Sequence, residues 1–260
     1  MNPSVLKYYN DKSFEDVIIF DKEKMDFEKA KSLCFSFPKA WAELCQINKD
    51  LRIEFYRDYL LKILPYKPNV YSFIYDFFSY LENLDVVFFK KNKTDNYECE
   101  LVYSLKDIDT FFRGKEPLEE IEIKNINASF EMLLPRDYLT FLKVHKSFSK
   151  NDDTGVFDGR ILKDMQNEFI NFVENKNSQI RSDSFFIDPK TLIPFYQCYN
   201  KESFQCFFTQ WFPIEEMGNV YYSGLDNQIS DYHNMLNSSE TLSFKSFLDW
   251  LIFYMDVFSL

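Results

Sequence analysis

Glycine is scarce in this chain, with 5 among 260 residues. That count excludes glycine-rich phosphate loops, collagen-like repeats and flexible linkers as organising features. Histidine is scarcer still, at 2, which leaves little room for a multi-histidine metal site or a histidine-dependent relay. The five cysteines (Cys34, Cys45, Cys99, Cys198 and Cys206) form no C-x-x-C pair, so zinc ribbons and thioredoxin-type motifs have no support. Dispersed thiols in odd number, set among apolar neighbours, read as reduced and buried. No G-x-S-x-G elbow, Walker loop or dinucleotide fingerprint occurs. The apolar run Trp250 to Met255 is far too short to span a bilayer. The first twenty residues lack a basic segment followed by an apolar one, so no secretory signal is expected and the cytoplasm is the expected compartment.

Aromatic side chains are what the sequence has in excess. With 30 Phe, 17 Tyr and 3 Trp they make up 19% of the chain, and 46% hydrophobic against 27% charged residues is the balance of a folded globular protein. The formal charge is −11. Lysines cluster only loosely, at Lys90, Lys91, Lys93 and at Lys143, Lys146, Lys150, which is no footprint for nucleic acid or anionic lipid. From Glu202 to Leu260 eight acidic residues face one basic residue, Lys245. Such a stretch attracts a basic protein partner; it also serves as an ordinary solvated surface.

Periodicity divides the chain near its middle. Residues 1–125 read as mainly helical with one hairpin. Helices are expected over 26–37, after Pro38, over 50–64 and over 69–84. In 50–64 the apolar set is Leu51, Ile53, Phe55, Tyr56, Tyr59, Leu60 and Ile63. The hairpin pairs 85–90 with 97–104, and a short helix is expected over 106–112. Residues 126–260 read as an α+β domain. A helix opens at Pro135, carrying Tyr138, Phe141, Leu142 and His145, with Leu133 and Tyr138 spaced as a hydrophobic staple. A second helix covers about 163–175. Strands follow over 184–187, 192–199, 204–211 and 220–223, and an amphipathic helix closes the chain over 243–258.

Leu134-Pro135-Arg136-Asp137-Tyr138-Leu139-Thr140-Phe141-Leu142, then Leu192-Ile193-Pro194-Phe195-Tyr196, Phe207-Phe208-Thr209-Gln210-Trp211 and Ser243-Phe244-Lys245-Ser246-Phe247-Leu248-Asp249-Trp250-Leu251 follow one another in an order that resembles the SMI1/KNR4 family, the SUKH superfamily. The likeness covers roughly residues 126–256. Where members usually carry an Asn-Gly-Gly turn, this chain has Val144-His145-Lys146-Ser147. The resemblance implies helices packed on a mainly antiparallel sheet, and binding in place of catalysis. Many bacterial members are immunity proteins that neutralise a toxin, often a nuclease, which makes a basic toxin the implied partner.

Six residues are candidates for a partner-binding surface: Glu215, Glu216, Tyr221, Tyr222, Asp226 and Asp231, because aromatics beside carboxylates suit protein partners. No catalytic residue, metal ligand or cofactor site is assigned. The loop from Asn151 to Gly159 fails the calcium-loop register, since its fifth position is Gly155 and its twelfth Leu162. Two rivals remain. One is a scaffold binding through its helical amino-terminal half, for which an exposed apolar patch within 26–84 would speak. The other is a thiol hydrolase built from Cys198 or Cys206 with His233.

Overall fold

The computed structural model describes residues 2–176, 179–182, 185–198, 201–233 and 238–257. Its contacts divide the chain into two compact units, one of residues 1–117 with 144–152, the other of residues 118–143 with 153–260. The chain therefore passes between units three times, and a single crossing near residue 125 does not describe it. Both units are α+β, each built on its own sheet.

In the first unit α1 (Pro3–Asp11) starts where the Asn2 side chain accepts a hydrogen bond from the Ser4 amide, with Pro3 preset for the first turn. After β1 (Asp16–Ile19), Asp26 caps α2 (Phe27–Leu33) through the Lys29 amide at 2.8 Å. Then come α3 (Lys39–Gln46), α4 (Lys49–Ile63) and α5 (Pro68–Ser79). Strands β2 (Leu81–Lys90), β3 (Glu98–Leu105), β4 (Phe111–Lys115) and β5 (Phe148–Lys150) follow, and the sheet runs β1-β2-β3-β4-β5, antiparallel throughout.

Alternation along these strands sends side chains to two different covers. Val87, Phe89, Val102 and Phe111 meet Val5 and Tyr9 of α1. On the other face Phe88 packs on Phe37, Phe112 on Phe77, and Tyr103 on Phe78, with rings tilted or edge to face. Glu100 is carried into the first of these layers, where the Tyr9 hydroxyl donates to it at 2.6 Å and Arg113 at 3.1 Å. Burial of that acid is tolerable because the ion pair and the phenol satisfy it together.

Three expectations for this unit are corrected. Residues 69–84 are not one helix: α5 stops at Ser79, and Leu81 already pairs with Leu105 in the sheet. Residues 106–112 form a turn, with Asp107 in the left-handed region at φ 58°, leading into β4; Phe111 and Phe112 are taken up by Ser104 and Tyr103 across the ladder. In α4 only Tyr56 and Leu60 are buried, while Leu51 and Phe55 face solvent. The region read as mainly helical, 1–125, thus supplies four strands of a five-stranded sheet, and Phe148–Lys150 supplies the fifth.

The second unit begins with α6 (Glu120–Ala128), closed by a reciprocal capping box between Glu119 and Glu122, and α7 (Arg136–Phe141), entered through Pro135. After a 3-10 turn, α8 (Leu162–Asn175) buries Leu162, Gln166, Phe169 and Val173. Six strands follow: β6 (Ile180–Ser182), β7 (Phe185–Ile187), β8 (Leu192–Gln197), β9 (Phe204–Phe208), β10 (Asn219–Ser223) and β11 (Gln228–Ile229). Their order is β7-β6-β11-β10-β9-β8, antiparallel except where β6 runs parallel to β11. A four-residue helix α9 (Ser238–Thr241) precedes α10 (Phe247–Met255).

Phe169 and Val173 of α8 pack on Ile180, Ile187, Cys206, Val220, Tyr222 and Ile229, one face of the sheet. On the opposite face, over β8 and β9, Tyr138 of α7 meets Phe207 and Phe247, and Phe195 meets Trp250 of α10, while Asn219 at the start of β10 is buried beside Phe244 and Ser246. The closing helix is shorter than its periodicity, because Phe244 instead bridges Asn219 in strand fashion; the far end of the expected range, residue 258, lies outside the described residues. The hydrophobic staple is not made either, since Leu133 is 76% exposed and Leu134 is buried in its place.

Asp137 ties the two covering helices together. Its carboxylate is buried and accepts from the Tyr138 amide and from the Leu248 amide in the first turn of α10, both at 2.9 Å. A carboxylate at a helix amino terminus is stabilised by the dipole and satisfies an otherwise orphaned amide. Asp137→Ala is expected to lower unfolding stability by about 2–3 kcal/mol, as loss of a charged acceptor in a buried network should. Chemical denaturation measures it, and a loss within experimental error would refute the role.

Candidate functional site

The six candidate residues lie along β10 and the segments that flank it. Tyr222 is removed from the set. It is fully buried on the α8 face, edge to face with Phe169 at 5.1 Å, and its hydroxyl donates to Asn227 at 3.0 Å. Its neighbour Tyr221 points the other way and is half-buried, and burial pushes its hydroxyl pKa up. Strand alternation decides the difference: adjacent tyrosines cannot share a face.

The acidic residues separate by strand end. Glu215 and Glu216 sit in the β9–β10 loop, Glu215 in the left-handed region at φ 66°. Asp231 follows β11, which runs back antiparallel to β10, so Asp231 returns to the same end of the sheet as that loop. Asp226 is in the β10–β11 turn at the far end, where the Ser223 hydroxyl donates to it at 2.9 Å.

An aromatic block anchors the loop end. Trp211 and Tyr232 meet with ring centroids 5.6 Å apart, Tyr232 packs on Phe208 at 5.2 Å, and His233 lies over Tyr232 at 4.1 Å. The loop closes on itself through Gly218 N to Trp211 O and Phe208 N to Gly218 O, both 2.9 Å. Gly218 is required there, since a Cβ would stand 2.3 Å from the indole ring. Phe212 and Ile214, on the same loop, are exposed. Glu215 and Glu216 thus share a braced loop with exposed Phe212 and Ile214, and Asp231 precedes the Tyr232 that packs on Trp211.

Beyond β10 the sheet face opposite α8 carries exposed side chains among the described residues. Ser223, Gln228, Arg181 and Phe186 are successive register partners across four strands. Arg181 and Gln228 are exposed, and Phe186 is 65% exposed. None of the last three was a sequence candidate. The alternation Ile180-Arg181-Ser182 is their only signal, and three residues are too few to stand out from a loop.

The thiol chemistry is not set up by this arrangement. Cys206 is buried on the α8 face and its thiol is pushed well above its ordinary pKa by loss of solvent. Desolvation also raises the half-buried Cys198. Both are therefore thiols at neutral pH, whereas a nucleophile needs the thiolate. His233 is exposed on its loop. In the 151–159 loop the carboxylates are committed to protein groups: Asp152 to Lys12 at 3.1 Å, Asp153 to the Tyr254 hydroxyl at 2.9 Å, Asp158 to Arg160. Among the described residues no group of three His, Cys, Asp or Glu is placed to hold a metal ion, and no helix is long and apolar enough to cross a membrane.

His145 is not on α7, which ends at Phe141; it belongs to the first unit and is fully enclosed there. Its Nδ1 lies 2.8 Å from the Lys115 carbonyl, which can only accept, so Nδ1 carries the proton and Nε2 accepts from the Tyr103 hydroxyl at 2.5 Å. Desolvation holds its pKa down at about 4, although the carbonyl contact pulls the other way. Below the ordinary histidine range of about 6.5 the unfolded chain binds a proton that the folded chain refuses, so stability falls as pH drops from 6.5 toward 4, by up to about 3 kcal/mol. The unfolding free energy of the wild type should therefore decline more steeply over that interval than that of His145→Gln. Parallel slopes would refute the assignment.

No family model, curated protein or solved structure matches this chain, so the functional reading rests on its own geometry.

Proposed function

We propose that the second unit is a protein-docking module of the SMI1/KNR4 type, and that the chain acts as a non-enzymatic, immunity-type binder of a basic protein, a toxin in the simplest case. The observation that carries this reading is the loop end of the sheet, which holds Glu215 and Glu216 with exposed Phe212 and Ile214 on one loop and Asp231 next to the Tyr232 that packs on Trp211. An apolar centre ringed by charge is the anatomy of a docking surface. The acidic excess between Glu202 and Leu260 would speed encounter with a basic partner and fix its register. The packing of the Leu-Pro helix and the closing helix on one face of a mostly antiparallel sheet supports the family reading.

Charge reversal separates the two ends of β10. In affinity capture quantified by mass spectrometry, Glu215→Lys with Glu216→Lys and Asp231→Lys should reduce recovery of a basic partner about tenfold or more. Asp226→Lys, at the far end, should leave recovery near the wild-type level. Equal recovery by both variants, or partners that are uniformly acidic, would overturn the reading.

A second reading has an observation of its own. Within 26–84, Phe35 is 88% exposed and Leu51 and Phe55 stand one helical turn apart on the solvent side of α4. Such apolar exposure favours a scaffold that binds through the first unit. Leu51→Glu with Phe55→Glu tests it: loss of the partner by this variant, with retention by the triple lysine variant, assigns binding to α4.

A further inference from the structure

The first unit contains a concavity that docking through the second unit leaves unused. It measures about 780 Å³ and lies among β1 and the turn after it, α2, the start of α4, and β2. A volume of that order suits a small organic molecule. Phe20, Met25 and Leu33 contribute apolar wall. Around them stand five bases, Lys22, Lys24, Lys29, Lys49 and Arg52, against two acids, Asp21 and Asp85. The lining is therefore net +3 in a chain of net −11, and it attracts anions locally where the molecule as a whole repels them.

The bases are not neutralised by strong pairing. Lys24 meets Asp21 at 3.0 Å and Lys49 reaches Glu82 at 4.0 Å, both in solvent-exposed geometry where an ion pair is weak and exchangeable. Lys29 donates to the Lys24 carbonyl at 3.0 Å. Arg52 is held by three backbone carbonyls, Leu84 at 2.7 Å, Cys45 at 3.1 Å and Ile47 at 3.2 Å. Neutral acceptors fix the guanidinium without cancelling its charge, and the Asp85 carboxylate stands 4.0 Å away. Burial raises the Asp85 pKa, against the pull of Arg52 and Asn83. Of the buried polar atoms beneath this lining, Arg52 Nε is a donor without a protein partner, while Asn83 Oδ1 and Asp85 Oδ2 are unpartnered acceptors that would not bind an anion.

We propose that this concavity binds a small amphipathic anion, with a carboxylate or phosphate head held between Lys29 and the Lys49–Arg52 side and an apolar body over Phe20, Met25 and Leu33. The full-length protein is titrated at low ionic strength with octanoate, with phenyl phosphate and with neutral 1-octanol. Saturable one-to-one binding of octanoate or phenyl phosphate is expected, and the tighter of the two identifies the preferred head group. Lys29→Glu with Lys49→Glu should weaken it about tenfold or more, as two reversed charges near one anion require. Lys39→Glu with Lys93→Glu changes the net charge equally at exposed positions outside the lining and should leave binding unchanged, with circular dichroism confirming that both variants are folded. Absence of saturable binding by both anions, no loss in Lys29→Glu/Lys49→Glu, equal loss in both double variants, or equal affinity for 1-octanol would overturn the proposal.

Discussion

Aromatic rings packed edge to face, tilted or stacked hold both sheets in place. In the first unit Phe77, Phe112, Phe148 and Tyr103 form one continuous set across three strands and a helix. In the second, Phe207 and Phe195 of two neighbouring strands pack with Phe247 and Trp250 of α10. Aromatic pairs gain about 0.5–1.5 kcal/mol each beyond the area they bury, and they gain it only at particular angles and separations. A core of this kind is directional as well as apolar. It orients each helix on its sheet, while the backbone ladder sets the spacing of the strands. Gly114 shows how closely it is packed: a Cβ there would fall 2.3 Å from the His145 ring.

The same aromatic excess explains what could be read from sequence and what could not. The hairpin of β2 and β3 was legible because a polar turn separates two β-rich runs, and α8 because its apolar residues recur at helical spacing. Phe and Tyr serve helices and strands alike, so Leu81 to Leu84 and Phe111 to Phe112 read as helix until their strand partners are known. The outward turn of Leu51 and Phe55 was hidden for a related reason. When a helix is apolar on most sides, its pattern does not say which stripe faces the sheet.

The candidate surface was legible only in part. Charge placed Glu215, Glu216 and Asp231 in loops, and the return of β11 alongside β10 gathers them at one end, a relation no local pattern encodes. Tyr222 was misread because a Tyr-Tyr pair in a strand gives no sign of which ring goes inward. The basic concavity was invisible because its lysines are spaced over 28 positions, from Lys22 to Lys49, with acids between them. Only the fold brings them to one rim. Opposite local fields on one acidic chain are therefore a property of its topology more than of its composition.

Strand β5 has a consequence for how this molecule can be cut. Residues 144–152 complete the sheet of the first unit, yet they are bracketed in the chain by segments of the second. A fragment starting near residue 118 would carry Phe148 and the buried Lys146 away from their neighbours, and one ending at residue 117 would leave β4 as a bare edge. Neither unit is a contiguous excisable piece, so dissection by truncation would report damage where none exists in the intact chain.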